Sequence, residues 1–143
     1  IMKILEEIHE EVHGKNVVVI GASNIVGKPM ASLLMQTGAT VTLCHKYTRD
    51  LSVHTRNADI VIIAAGVSNL LTGEMVCHGS VIIDVGINRT EDNMITGDAH
   101  FESTIKVAKA ITPVPGGVGV MTVTMLLYNT LQIAKTQILL RNG

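Results

Sequence analysis

Apolar residues fall into two kinds of pattern along this chain. At the start, Ile1, Ile4, Leu5, Ile8 and Val12 recur at helical spacing with Glu and Lys between them. That spacing predicts an amphipathic helix closed by Gly14. NVVVIG from Asn16 is a β-branched run with no polar alternation, which predicts a strand buried on both faces, as in a parallel sheet. ATVTLCH from Ala39, ADIVIIAAG from Ala58 and SVIIDVG from Ser80 predict three further strands. Between the first two, SNIVGKPMASLLMQTG predicts a loop and a helix, with Leu33, Leu34 and Met35 near its buried end and Gly38 as its stop. Leu51 to Asn57 predicts a short helix, and TGEMVCHG a turn or short helix. NRTEDNMITGD predicts a loop with a small hairpin, ESTIKVAKA a weak helix or turn, and ITPVPGGVGV a loop. MTVTMLLYNTLQIAKTQILL predicts a long final helix whose Met residues serve as core.

Buried strands alternating with helices predict an α/β fold: a Rossmann-like, doubly wound, mostly parallel sheet. The expected organisation is a linking helix over 1–14 and one dinucleotide-binding domain with its C-terminal helix over 15–143. The length of 143 residues fits one domain with a real core. Ile1 is not an initiator Met. Two expectations stay open: a chain that begins inside a longer reading frame, or a start at Met2.

Composition narrows the classes of function. Hydrophobic residues make up 47% and charged residues 16%, which argues against disorder. A net charge of -1 and the lack of aromatic stacking platforms argue against a nucleic-acid partner. No apolar run reaches membrane-spanning length, and the charged first turns do not form a signal peptide. Cys44 and Cys77 are expected to be reduced core residues of a cytoplasmic protein. Cys44-His45 and Cys77-His78 lack the spacing of zinc ligands, so no metal is expected.

In doubly wound sheets, ligands bind beyond the carboxyl ends of the strands, so the loops GASNIVG, CHKYT, AAGVSN, DVGIN and TPVPGGVG carry the candidate chemistry. Gly21 permits a tight turn, Ser23 can accept a backbone N–H or donate to a phosphate, and Gly27 lets a helix pack closely on the sheet. The helix start is expected to offer open N–H groups to a pyrophosphate. The spacing departs from G-x-G-x-x-G, since Ser23 replaces the middle Gly and the last Gly comes one residue late. An NAD site usually carries an acid at the end of the second strand. Here Cys44-His45-Lys46-Tyr47-Thr48-Arg49 has none before Asp50. Lys46 and Arg49 could hold a 2′-phosphate with Thr48 adding a hydrogen bond, which favours NADP; a solvated basic loop is the plainer alternative. Gly86 is expected to allow close approach of a flat ring, and Ile87 to offer backbone groups and an apolar face to the nicotinamide. Pro115, Gly116, Gly117, Val118 and Gly119 belong to a shaped loop feeding the last helix, with Thr122 as a cap or a ligand contact.

Taken together, VVVIGASNIVGKPM, NADIVIIAAG, VIIDVGIN, GDAHFE and ITPVPGGVGVMT resemble the bifunctional methylenetetrahydrofolate dehydrogenase/methenyltetrahydrofolate cyclohydrolase family, in order from about Ile1 to about Ala134. The resemblance implies hydride transfer from 5,10-methylenetetrahydrofolate to NADP, then addition of water to give 10-formyltetrahydrofolate. It implies that Gly21, Ala22 and Ser23 touch the NADP phosphates and ribose, and that the backbone of Ile87 meets the nicotinamide. It makes Pro115, Gly116, Gly117, Val118 and Gly119 the border of the folate pocket. Lys46 falls where many members place a Ser near the 2′-phosphate, and Val120 replaces the family's usual Pro. The family is two-domain and usually homodimeric. Its catalytic Lys, the partnering Tyr and a Gln lie in an N-terminal folate domain upstream of what is Ile1 here. Tyr47 and Tyr128 do not match that motif, so no catalytic residue is assigned to this chain. Two other readings remain: a non-catalytic nucleotide-binding or interaction module, and another NADP-dependent dehydrogenase.

Overall fold

The computed structural model describes residues 1–141. The last two positions of the domain expected over 15–143 lie outside the described residues. Five strands form one parallel sheet: β1 (Asn16–Ile20), β2 (Thr40–Cys44), β3 (Ile60–Ile63), β4 (Val81–Asp84) and β7 (Ala110–Ile111), in the order β2-β1-β3-β4-β7. Val17 faces Val41 on one side and Ile60 on the other, and Ile60 continues to Val81 and Val81 to Ala110. The helices are α1 (Met2–Glu7), α2 (Gly27–Gln36), α3 (Leu51–Thr55), α4 (Phe101–Thr104) and α5 (Val118–Arg141), with a 3-10 turn at Gly73–Met75. Strands β5 (Asn88–Arg89) and β6 (Ile95–Thr96) form the small antiparallel hairpin.

The central strands β1, β3 and β4 are buried on both faces, as their apolar runs require, whereas the edge strand β2, with Thr40 and Thr42, is exposed on one face. Alternate residues of a strand point to opposite faces. Val17, Val19, Ile60, Ile62, Val81 and Ile83 join one cluster with Leu5, Val12, Met30 and Leu34 from α1, α2 and the segment between α1 and β1. Val18, Ile20, Val61, Ile63 and Ile82 join the other, against Cys44, Leu71 and Val76.

Several expectations change. The first helix ends at Glu7 and not near Gly14, because the chain bends at His9, whose φ is 55°. Val12 reaches the core from an irregular segment. On α2, only Leu34 of the expected trio is buried; Leu33 and Met35 are 48% and 58% exposed. Three consecutive helical residues subtend too wide an arc to share one buried face. Cys77 is exposed, while Cys44 is buried as expected. Strand β7 interrupts the stretch read as weak helix and loop; two residues are too short to carry a period of their own. The last helix begins three residues early, so Val118 and Gly119 form its first turn. Its Met residues are not core, since Val118 is the one residue of α5 that is buried.

Candidate functional site

The strand order reverses between β1 and β3, and that is where a doubly wound sheet opens a crevice at its carboxyl edge. The exits lie level with one another: Gly21 N–H donates to the Cys44 carbonyl at 3.0 Å, and Ala64 N–H donates to the Ile20 carbonyl at 2.7 Å. A cleft of about 950 Å³ opens above them. Gly21, Ala22, Ser23, Lys46 and Thr48 all line it, so five of the six residues assigned to the cofactor share one cavity. Lys28, Arg49 and Ala65 also line it, with Leu70 and Met75 as apolar wall.

Residue 21 can only be Gly. Its φ is 108°, and a Cβ would run into the Ala64 carbonyl. At Gly27 a Cβ would run into the Gly21 carbonyl, so the helix start sits directly on the turn. Ser23 ties the two together. Its Oγ accepts from Val26 N–H at 3.1 Å and Gly27 N–H at 3.4 Å, and its carbonyl accepts from Lys28 N–H at 3.0 Å. These helix-start N–H groups were expected to be open to a phosphate; Ser23 takes them instead. Among the side chains of this turn, the donors left to face the cleft are the Ser23 hydroxyl hydrogen, which an accepting hydroxyl retains, and the Lys28 ammonium, which donates to Asn24 Oδ1 at 2.8 Å.

The β2 exit folds into a turn of its own. His45 N–H donates to Thr48 Oγ1 at 3.0 Å, and Thr48 N–H donates to the His45 carbonyl at 2.8 Å. Thr48 therefore shapes the loop besides lining the cleft. Lys46 is exposed, with Nζ 4.9 Å from the centre of the Tyr47 ring. Asp50, the first acid after β2, caps α3: its Oδ1 accepts from Ser52 N–H at 2.9 Å and Ser52 Oγ at 2.7 Å. These bonds from Ser52 hold its carboxyl below the usual range. Burial pushes the Cys44 thiol up, which fits packing and not reactivity.

Ile87 does not line the large cleft. It lines a second cavity of about 200 Å³, formed by the β4 exit and the loop before α5. Pro115, Gly116, Gly117, Val118 and Gly119 line that same cavity, so Ile87 and the five border residues come together. Ile87 is 67% exposed at its mouth. Thr122 neither caps α5 nor faces the cavity: it sits inside the helix and donates to the Val118 carbonyl at 2.8 Å. Gly86 has a packing reason to be small, because a Cβ there would meet the Asp98 side chain.

Two buried carboxylates near these cavities went unassigned from sequence. Asp84 Oδ1 accepts from Gly86 N–H at 2.8 Å and Asp98 N–H at 3.1 Å, and its Oδ2 accepts from Ala99 N–H at 2.8 Å. Burial nevertheless pushes its carboxyl above the ordinary value. Asp98 Oδ2 accepts from Ala65 and Gly66 N–H at 2.6 and 2.8 Å, and its Oδ1 accepts from Asn88 Nδ2 at 2.8 Å. The motifs DVGIN and GDAHFE held both residues, but only the fold brings them together. Among the described residues, no group of three His, Cys, Asp or Glu is placed to hold a metal. Likewise, no described helix is long and apolar enough to cross a membrane.

Comparison with known proteins agrees with this geometry. Residues 1–138 match the family model of the tetrahydrofolate dehydrogenase/cyclohydrolase NAD(P)-binding domain. The bifunctional protein FolD of Ralstonia pickettii is 58% identical over 134 residues, covering 94% of this chain and 46% of that protein. The crystal structure of FolD from Campylobacter jejuni superposes with a TM-score of 0.93 at 54% identity, covering 95% of this chain and 48% of that one. The Trypanosoma brucei FolD, solved with NADP cofactor and an inhibitor, gives a TM-score of 0.89 at 41% identity, covering 96% and 49%. The chain thus spans about half the length of the relatives it matches. With its cleft, its Gly-rich turn and these relatives in agreement, the chain belongs to the tetrahydrofolate dehydrogenase/cyclohydrolase NAD(P)-binding domain family.

Proposed function

We propose that this chain is the NADP-binding part of a bifunctional enzyme of tetrahydrofolate one-carbon metabolism. The two activities are 5,10-methylenetetrahydrofolate dehydrogenase, by hydride transfer to NADP, and 5,10-methenyltetrahydrofolate cyclohydrolase, giving 10-formyltetrahydrofolate. The observation that carries NADP over NAD is the charge of the β2 exit. Lys46 and Arg49 line the cleft there, and the nearest acid, Asp50, is engaged in capping α3. A ribose diol has no carboxylate to meet at that edge, whereas a 2′-phosphate has two cations.

The residues present suit such a cofactor. A cleft of about 950 Å³ lies at the upper end of small-molecule sites. Gly21 and Ala22 allow close backbone approach, and the Ser23 hydroxyl and Lys28 ammonium supply donors for the diphosphate. Lys46 and Arg49 hold the 2′-phosphate beside Thr48. Ile87 meets the nicotinamide end, and Pro115 to Gly119 border the folate. The bound cofactor supplies a hydride acceptor at its nicotinamide ring. This chain's own residues bind and orient; none of its residues is assigned as a general acid or base of either reaction. The reading carries with it a folate substrate, a homodimer and a cytoplasmic location, with no nucleic-acid or membrane partner. Two free cysteines are consistent with a reducing compartment.

Calorimetry with NADP and NAD tests the reading. The protein should bind NADP at least about tenfold more tightly, and Lys46→Glu should shrink that preference by a comparable factor through lost attraction and added repulsion. Equal affinities in the parent, or an unchanged ratio in the variant, would reject the 2′-phosphate assignment.

A further inference from the structure

The backbone after β3 forms a wall of the cleft through Ala64 and Ala65, and it is held from outside that segment. The anchor lies 33 residues away: Ala65 and Gly66 both turn their N–H groups onto the same oxygen of Asp98, Oδ2. In a trans peptide, the carbonyl points opposite to the N–H. The Ala64 carbonyl is thereby turned away from Asp98, and it lies against Gly21, where it would collide with any Cβ. Asp98 is itself fully buried and does not line the cleft. Its other oxygen is held by Asn88 Nδ2, and its N–H by Asp84 Oδ1.

We infer that Asp98, oriented by Asn88, is a positioning residue that sets the peptides at Ala64–Gly66 over the Gly21 turn and so shapes the dinucleotide site. The inference rests on the NADP-binding reading above. A carboxylate suits the task because it has only acceptors to offer, and three donors converge on it; such charge-assisted bonds are about twice as strong as neutral ones. The pair also couples the cavities, since Asp98 reaches Ala65 in the larger one while Asp84, bonded to Asp98, lines the smaller.

The test is a double-mutant cycle in the intact protein that carries this chain: Asp98→Asn, Asn88→Asp and the exchange of both. Asp98→Asn replaces one acceptor by an amide NH2, which then faces the Asn88 NH2 with no acceptor between them. Asn88→Asp sets a second carboxylate against Asp98 and provides the reading if Asp98→Asn does not fold. The exchange restores matching: the amide then at position 98 donates to the carboxylate at position 88, and its carbonyl accepts from the two backbone N–H groups. NADP affinity by calorimetry should fall about fivefold in each single variant and return to within about twofold in the exchange, by acceptor matching. A role confined to stability would lower the unfolding midpoint and leave NADP affinity alone, far below that midpoint. A folded single variant that binds NADP like the parent, or an exchange no better than the weaker single, would overturn the inference while leaving the NADP reading intact. A parent that fails to bind NADP would overturn both.

Discussion

At the scale of single residues, the site is governed by where polar groups find partners. Ser23 is the clearest case: it closes the helix start with its oxygen atoms and keeps only a hydrogen for a ligand. Sequence placed Ser23 in the phosphate loop and named both of its options, but the share of each depended on how α2 enters. Asp50 is a second case. Its neighbour Ser52 makes a capping pattern visible in sequence, yet whether that carboxylate caps or faces the cleft is a matter of rotamer. Asp84 gives a prediction at this scale. Its carboxyl sits above 3.8 because burial disfavours the charge more than its three N–H donors favour it. The folded protein thus holds that proton more tightly than the unfolded chain does. The stability this contributes is fully present below 3.8 and is lost as pH rises through the higher folded value. Asp84→Asn has no such titration. Urea midpoints followed upward from about pH 3 should therefore fall in the parent relative to the variant, by this linkage. A parent–variant difference that stays constant across that window would contradict the shift.

At the scale of elements, β1, β3 and β4 were legible because buried parallel strands need apolar runs, and β2 through its β-branched alternation at the sheet edge. The end of β1 at Gly21 was legible too, but β3 stops at Ile63, before the two alanines that continue its apolar run. What was not legible was the facing of α2 and the existence of β7. Leu33, Leu34 and Met35 are equally apolar as a string, and only docking on the sheet selects Leu34. Leu34→Ala should accordingly destabilise the protein by about 3 kcal/mol, the range for a fully buried leucine. Leu33→Ala should change it by less than about 1 kcal/mol, because that side chain remains half exposed. Chemical denaturation of both variants checks the contrast, and comparable losses would mean that α2 is rotated from the facing described. Strand β7 escaped notice because two residues, Ala110 and Ile111, extend a sheet through backbone pairing with Val81 and Ile82 and need no pattern of their own.

At the scale of the whole molecule, the described residues form a five-stranded parallel sheet, and the longest helix is mostly exposed. Leu126, Leu127, Leu131, Leu139 and Leu140 of α5 are each more than half exposed. The smaller cavity beside Ile87 is lined by backbone and apolar groups, with no general acid or base other than the engaged Asp84. On the reading proposed above, the 143-residue chain alone is expected to bind NADP and to form no NADPH from methylenetetrahydrofolate, because none of its residues is assigned as a general acid or base. Absorbance at the NADPH band, followed with the isolated chain and with the protein that carries it, checks this; turnover by the isolated chain would place the acid–base groups within it.

The sequence by itself determined the fold class, the order of the strands along the chain and the loops that would carry a ligand. Those properties follow from local rules: burial on two faces demands apolar runs, and tight turns demand Gly. Its motifs were also distinctive enough to reveal the family. Only the tertiary structure decided how the polar groups divide their partners. It assigned the helix-start N–H groups to Ser23, the Asp50 carboxylate to α3, and the Ala65 and Gly66 N–H groups to Asp98. A hydrogen bond is satisfied across space and not along the chain, and residues 65 and 98 meet only once β3, β4 and the hairpin have been brought to the same edge of the sheet.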